Sequence, residues 1–319
     1  MRFLIVGAGA VGALVGAQLA RSGHDVRYWV RPQKRRERAR LKIESVVTGD
    51  SFEIFTQFLA PGDTAPDCDW VFVCVRGEQL DETLQQIATQ LGTAHNLVIS
   101  TVSVDSVVER VRRHGLHGMV LAHHVSFGVH RDPEDRERFL WFPFAPPSIV
   151  SAEGEPASLP AARTLARALD RAGLRSLSLR SARNPMKLMM ALSAPFLAAW
   201  DVCDFELERL ARDRELRQLT AHAMVEAPRS LHFSGLGRLF KLIPAWFWSL
   251  VLRVLPHVIG AHGREVWLHH GPKVREQTRH CLALVQQPSA HQPALQALAT
   301  RFEQRLAASS GVSSNARHA

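Results

Sequence analysis

Residues 2–16 read Arg2-Phe3-Leu4-Ile5-Val6-Gly7-Ala8-Gly9-Ala10-Val11-Gly12-Ala13-Leu14-Val15-Gly16. Arg2 to Val6 is an apolar run without a turn residue, sufficient for one buried parallel strand. Gly7-Ala8-Gly9-Ala10-Val11-Gly12 follows at once, and a small-residue helix is predicted from Ala13 to Arg21. G-x-G-x-x-G acquires meaning in this strand–turn–helix setting. Gly7 permits the tight turn, Gly9 lets a pyrophosphate approach bare backbone, and Gly12 allows helix and strand to pack closely. The helix N-terminus offers unpaired N–H groups and partial positive charge to phosphates. A secretory signal is the competing reading, since Arg2 precedes an Ala-rich apolar segment. Gly7, Gly9, Gly12 and Gly16 make a poor signal core, however, and polar Arg21-Ser22-Gly23-His24-Asp25 leads straight into another strand. The stretch is read as a dinucleotide-binding turn.

The chain has 319 residues, enough for two domains with a full core in each. Its four cysteines, Cys68, Cys74, Cys203 and Cys281, have no C-x-x-C spacing, which fits a reducing, cytoplasmic setting. A formal net charge of +9 invites a nucleic-acid or membrane reading. The charge is mostly arginine spread along the chain, which suits solvated faces better, and no nucleic-acid partner is expected. No run reaches the roughly 18 uncharged apolar residues of a membrane span, so no stable membrane insertion is expected.

A second strand, Asp25 to Val30, ends at Arg31. An acidic residue at this place, about 20 residues past the glycines, binds the ribose 2′-hydroxyl of NAD. Arg31 instead suits the 2′-phosphate of NADP, with Lys34, Arg35 and Arg36 close behind. From Pro32 to Arg40 the alternative is a solvated basic helix, the expected state from Arg36 onward. Leu41 to Leu59 reads as a hairpin turning at Gly49-Asp50, and Trp70 to Val75 as a central parallel strand. The latter delivers Arg76-Gly77-Glu78-Gln79 to the crevice where open sheets bind ligands. A helix over Asp81–Leu91 and a strand over Asn96–Ser100 follow, the strand ending at Thr101 in reach of nicotinamide or substrate. Strands are expected over Met119–Val125, Ser148–Val150 and Leu174–Leu179, with an amphipathic helix over Pro160–Ala172. Beyond Arg180 the pattern is helical: Pro185–Cys203, Glu206–Glu226, Trp246–Leu255, Arg264–Gln286 and Pro293–Ala308. The expected architecture is α/β. A Rossmann domain with a doubly wound, mostly parallel sheet covers residues 1–181, and an all-helical substrate or dimerisation domain covers 182–308. A frayed tail covers 309–319.

Gly7-x-Gly9-Ala10-Val11-Gly12, Arg31, and Lys187-Leu188 at the opening of the helical part together resemble the ketopantoate reductase family. The resemblance implies NADPH-dependent reduction of 2-ketopantoate, by an oxidoreductase with a Rossmann domain followed by helices. It makes Lys187, within Asn184-Pro185-Met186-Lys187-Leu188-Met189, the catalytic acid. A snorkelling surface lysine is the alternative for Lys187. Departures accompany the likeness. Arg76 stands where the family has lysine, Thr101-Val102 where it has Asn-Gly, and Ala191 where it has asparagine one turn after the lysine. His270-Gly271-Pro272-Lys273 falls where a Thr-Glu-Ile-Asp segment binds substrate, and Glu276 lies one turn beyond. The cofactor half of the pattern is intact and the substrate half rewritten, so the expected substrate is a 2-keto acid or related carbonyl other than ketopantoate.

The expected cofactor is therefore NADP, held by Gly7, Gly9, Ala10, Val11, Gly12, Arg31, Arg76 and Thr101, with Lys187 as proton donor. Arg76 or Thr101 could equally hold a substrate carboxylate or hydroxyl. A non-catalytic NADP(H)-binding sensor or partner module is the alternative that the family losses permit. Leu236 to Ile259 is rich in large apolar residues and broken by Pro244 and Pro256. It is read first as a core helix or homodimer contact, then as a lid, an interfacial anchor, or the lining of a pocket for an apolar substrate. His123-His124, His262 and His269-His270 lack H-E-x-x-H spacing, and no metal is expected.

Overall fold

The run beginning at Arg2 becomes β1 (Arg2–Val6), with Leu4 and Ile5 fully buried on opposite faces. A parallel strand sandwiched between helices must be apolar on both sides, which is why this run does not alternate. The computed structural model describes residues 1–64, 66–100, 107–143, 146–153, 155–231, 235–270, 275–286 and 291–315. The chain divides into two compact units, Met1–Arg183 and Asn184–Ala319.

In the first unit, α1 (Ala10–Arg21) and β2 (Asp25–Trp29) follow β1. Next come β3 (Arg36–Ser45), β4 (Ser51–Leu59), β5 (Trp70–Val73), α2 (Leu80–Gln90), β6 (Leu97–Ser100), α3 (Val107–Arg113) and β7 (Val120–His124). The unit continues with β8 (Phe127–Arg131), β9 (Arg138–Pro143), β10 (Ser148–Ser151), α4 (Leu159–Arg171) and β11 (Ser176–Leu179). One sheet runs β11-β10-β7-β6-β5-β1-β2-β4-β3-β9-β8. Pairing is parallel except between β3 and β4, β7 and β10, and β8 and β9. The doubly wound, mostly parallel sheet read from the sequence is thus present. Leu14, Leu19, Leu165 and Leu169 pack on one face of the sheet, and Leu84, Ile87 and Val111 on the other.

Two local readings are corrected. Pro32 to Arg40 is not a helix: Pro32–Lys34 is a single 3-10 turn, and β3 already begins at Arg36. Ala39, Leu41 and Ile43 are buried in alternation, so the two-residue period of the hairpin extends back into the basic run and prevails over helix propensity. The β8–β9 hairpin was not anticipated. Gly128 permits it, because a Cβ there would lie 2.2 Å from the Phe142 ring on the partner strand.

The second unit comprises α5 (Arg183–Val202), α6 (Leu207–Arg212), α7 (Arg214–Ser230), α8 (Ala245–His270), α9 (Arg275–Val285) and α10 (Pro293–Asn315). No strand occurs among its described residues. The single helix expected over Glu206–Glu226 is two, because Asp213 stops α6 and caps α7 by accepting from the Leu216 N–H at 2.9 Å. The helix expected over Trp246–Leu255 continues as α8 to His270, and α10 runs to Asn315, past residue 309 where the tail was expected to begin. Asp201 is buried and accepts two bonds from the Arg275 guanidinium, at 2.6 and 3.0 Å, tying α5 to α9. Removing one member of such a pair strands a buried charge.

His123 lies in the first unit's core, its ring edge-on to Phe72 at 5.3 Å and fully buried. Desolvation, then the neighbouring His124, push its pKa down to about 3. The folded state therefore refuses a proton that the unfolded chain accepts near pH 6.5. Stability should fall as pH drops from about 6.5 toward 3, with this histidine contributing a slope of up to about 1.4 kcal/mol per pH unit. Urea unfolding across that range should show a shallower slope for His123→Leu than for the unaltered chain; identical slopes would remove His123 from the explanation.

Candidate functional site

β1, β2, β5 and β6 are mutually parallel, so Gly7, Arg31, Arg76 and Ser100 all emerge along the same edge of the sheet. The chain passes from β1 to β2 on one side and later places β5 on the other. That reversal opens a crevice beyond the end of β1, the place where open sheets bind ligands.

The three glycines play different parts. Gly7 has φ +97°, and a Cβ on it would meet the Cys74 carbonyl oxygen at 2.7 Å. Its N–H donates to Trp29 O at 3.0 Å, so the turn is anchored to β2. A Cβ on Gly12 would lie 2.0 Å from Gly7 O, so α1 can start only where this residue has no side chain. Around Gly9 a Cβ would meet nothing within 4 Å. Packing within the protein therefore requires Gly7 and Gly12, whereas bare backbone at Gly9 leaves open space in front of the helix N-terminus. Gly9 caps α1 without a side-chain bond, its O accepting from the Ala13 N–H at 2.9 Å, and the first turn of α1 carries no acidic residue. The backbone of Ala10, Val11 and Gly12 can thus receive an anion.

The side chains bordering this turn are cationic and unbalanced. Arg31 and Lys34 are exposed at the end of β2 and in the turn beyond. Arg131, at the end of β8, lies 5.1 Å over the Phe139 ring and donates to Ala8 O at 3.2 Å, inside the glycine turn. Partial desolvation, then Arg131 and Arg31, hold the Lys34 ammonium below the usual lysine range, so the three charges are felt together. Arg131 is itself depressed, by burial and then by Arg136. Among the described residues no carboxylate pairs with Arg31, Lys34 or Arg131, although nearby Arg35, Arg40 and Arg138 are all ion-paired. Uncompensated cations beside a glycine turn and a helix N-terminus suit a polyanionic ligand. Arg131 escaped the sequence reading because nothing local marks it; the β8–β9 pairing carries it to the turn from 123 residues away.

The remaining expected residues are less gathered. Arg76 is 80% exposed at its side chain and lies 3.7 Å from Glu78. Thr101 lies outside the described residues. Ser100, just before it, stands 3.5 Å from His123 Nδ1. Burial pushes the Cys74 thiol up to about 12 despite its contact with Ser100, so it is no nucleophile at neutral pH. Lys187 is half-buried in the first turns of α5, between buried Met186 and Met190, and Ala191 is fully buried. No three His, Cys, Asp or Glu side chains come together as a metal site among the described residues.

Residues 3–139 match the family described as Ketopantoate reductase PanE/ApbA, so the resemblance carried by Gly7–Gly12 and Arg31 holds across the glycine turn, the basic hairpin and Arg131. Solved structures share the fold over nearly the whole chain. A D-mandelate dehydrogenase in ternary complex with NADH and anilino(oxo)acetate is 14% identical, covering 96% of this chain and 98% of its own, with a TM-score of 0.66. The 2-dehydropantoate 2-reductase of Geobacter metallireducens GS-15 is 17% identical over 95% and 99%, with a TM-score of 0.65. A dimeric ketopantoate reductase from Staphylococcus aureus is 11% identical over 96% and 98%, at 0.63. No curated protein sequence matches the chain.

The geometry separates the glycines experimentally. Gly9→Ala should leave thermal stability nearly unchanged, since its Cβ enters open space, yet weaken dinucleotide binding at least tenfold by calorimetry. Gly12→Ala should lower stability by about 1–3 kcal/mol through overpacking, before any ligand is added. Equal behaviour of the two variants would contradict this division.

Proposed function

We infer that the protein is an NADPH-dependent reductase of a 2-keto acid or related carbonyl compound, ketopantoate reductase-like in fold and altered in substrate. The observation that carries the reading is the unpaired group Arg31, Lys34 and Arg131 around an open glycine turn. NAD needs a carboxylate for its ribose hydroxyls near Arg31; NADP needs cations there. The family match over residues 3–139 and the oxidoreductase relatives support the chemistry.

In this reading the N–H groups opening α1 hold the pyrophosphate, and Arg31 and Lys34 hold the 2′-phosphate. Arg131 braces the turn through Ala8 O while adding its charge to the same region. NADPH, when bound, supplies the hydride. Lys187 polarises the substrate carbonyl with its ammonium and passes a proton to the oxygen as negative charge develops there, a contribution of about 10²–10⁴-fold. Its helix neighbours Met186 and Met190 are buried, so this side of α5 is apolar around the ammonium's stem. Ketopantoate itself is disfavoured, because Ala191 has no polar group and is fully buried where the family has an asparagine.

The same loss favours a second reading, a non-catalytic NADP(H)-binding module. Both readings require NADPH to bind, and only the first requires turnover. A panel of 2-keto acids, aldehydes and ketones, followed by loss of reduced-nicotinamide absorbance, should contain an accepted substrate. Arg31→Asp should erode the ratio of NADH to NADPH dissociation constants by roughly 10- to 100-fold, as expected for losing a charged hydrogen bond; an unchanged ratio would move the phosphate contact elsewhere. Lys187→Ala should cut kcat by about 10²–10⁴-fold with NADPH affinity intact. Turnover within a few-fold of the unaltered enzyme would discard that role.

A further inference from the structure

The stretch from Ala227 to Gly263 contains no aspartate or glutamate, while Arg229, Arg238, Lys241 and Arg253 lie in it. Within it α8 turns two unlike faces outward and inward. Leu252 and Pro256 are buried, and Ser249 accepts from the Arg217 guanidinium of α7 at 3.3 Å. On the other side Trp246, Leu250, Val254 and Val258, spaced by four residues, are 68, 52, 45 and 75% exposed. Phe247 joins this stripe, and Leu239 and Leu242 in the preceding 3-10 turn extend it. Exposed Arg253 and His257 fall along one edge of the same face, by the 100° step of a helix.

A helix face this apolar, uncovered by the described residues of its own unit, marks a contact surface. We propose that α8 and the turn before it lie flat on an anionic lipid surface, with the Trp246–Val258 stripe in the headgroup–acyl boundary and the basic residues against lipid phosphates. Large apolar residues on one side with cations at the rim is the pattern of an interfacial helix. Crossing the bilayer is a different matter: no helix searched among the described residues is long and apolar enough for it. Charge selects lipid over a second copy. Two-fold pairing would bring identical cationic stretches together with no carboxylate from either to offset them. Around α7, which packs against α8, Asp213 caps the helix, Glu215 pairs with Arg301, and Glu226 accepts from the Ala294 and Leu295 N–H groups. This surface is independent of the cofactor reading and would stand if that reading failed.

Flotation of the full chain with vesicles tests it, using phosphatidylcholine alone and phosphatidylcholine mixed with phosphatidylglycerol, alongside sedimentation velocity without lipid. The chain should float with the anionic vesicles only and be released by high salt. Trp246→Ser combined with Leu250→Ser should abolish flotation while the circular-dichroism melt is retained. Arg253→Glu, at an exposed position that should not disturb folding, should lower partitioning about tenfold or more even if the double variant misfolds. A chain that stays in the supernatant with both vesicles overturns the proposal, as does equal flotation with neutral ones. So does a lipid-free dimer that either variant dissociates, since the face would then be a contact between copies.

Discussion

The first unit is organised by the approach of α1 to the end of β1, where the absent Cβ of Gly12 leaves room for Gly7 O at what would be 2.0 Å. That closeness requires two glycines for steric reasons internal to the protein. It also points the N-terminal peptide groups of α1 into the crevice beyond the strands, where a third glycine meets nothing. Packing and binding thus draw on one turn but on different residues of it. The arrangement is reinforced from below by Gly16, whose missing side chain admits the Tyr28 hydroxyl, itself donating to Ala13 O.

Charge is distributed unevenly around the turn. On β3 and β9, Arg40 and Arg138 are neutralised by nearby carboxylates, Arg138 by Glu44 and Asp132. Among the described residues no carboxylate pairs with Arg31, Lys34 or Arg131, which border the glycine turn. Mutual repulsion of three cations costs stability, and an anion placed among them would remove that repulsion.

The helical unit follows other rules. Its described core centres on Trp200, Phe205 and Leu207, with the Asp201–Arg275 pair locking two helices beside it. Asp204 and Phe205 take left-handed backbone angles to end α5, a strain held by the Phe205 ring against Trp200 and beneath Arg275. α8 departs from this economy by leaving large apolar side chains uncovered, which separates its outward face from the structural helices around it.

The strand–glycine–helix unit, the parallel character of the sheet, the hairpin turning at Gly49-Asp50 and the change to helices after Arg180 were legible in the chain, because each rests on local periodicity or on a turn that only glycine makes. The place of Arg31 just past the end of β2 was legible for the same reason, by its count from the glycines. The extent of β3 was not: the basic residues from Arg36 to Arg40 favour a helix locally, and only pairing with β4 makes them a strand. Arg131 was hidden entirely, since a side chain 123 residues from Ala8 becomes its neighbour through sheet order alone. The linear sequence thus determined which backbone could receive a dinucleotide, a matter of sterics within a dozen residues. The tertiary structure decided which charges stand unpaired around that backbone and which apolar face of α8 stays uncovered, since both depend on what the rest of the fold brings near.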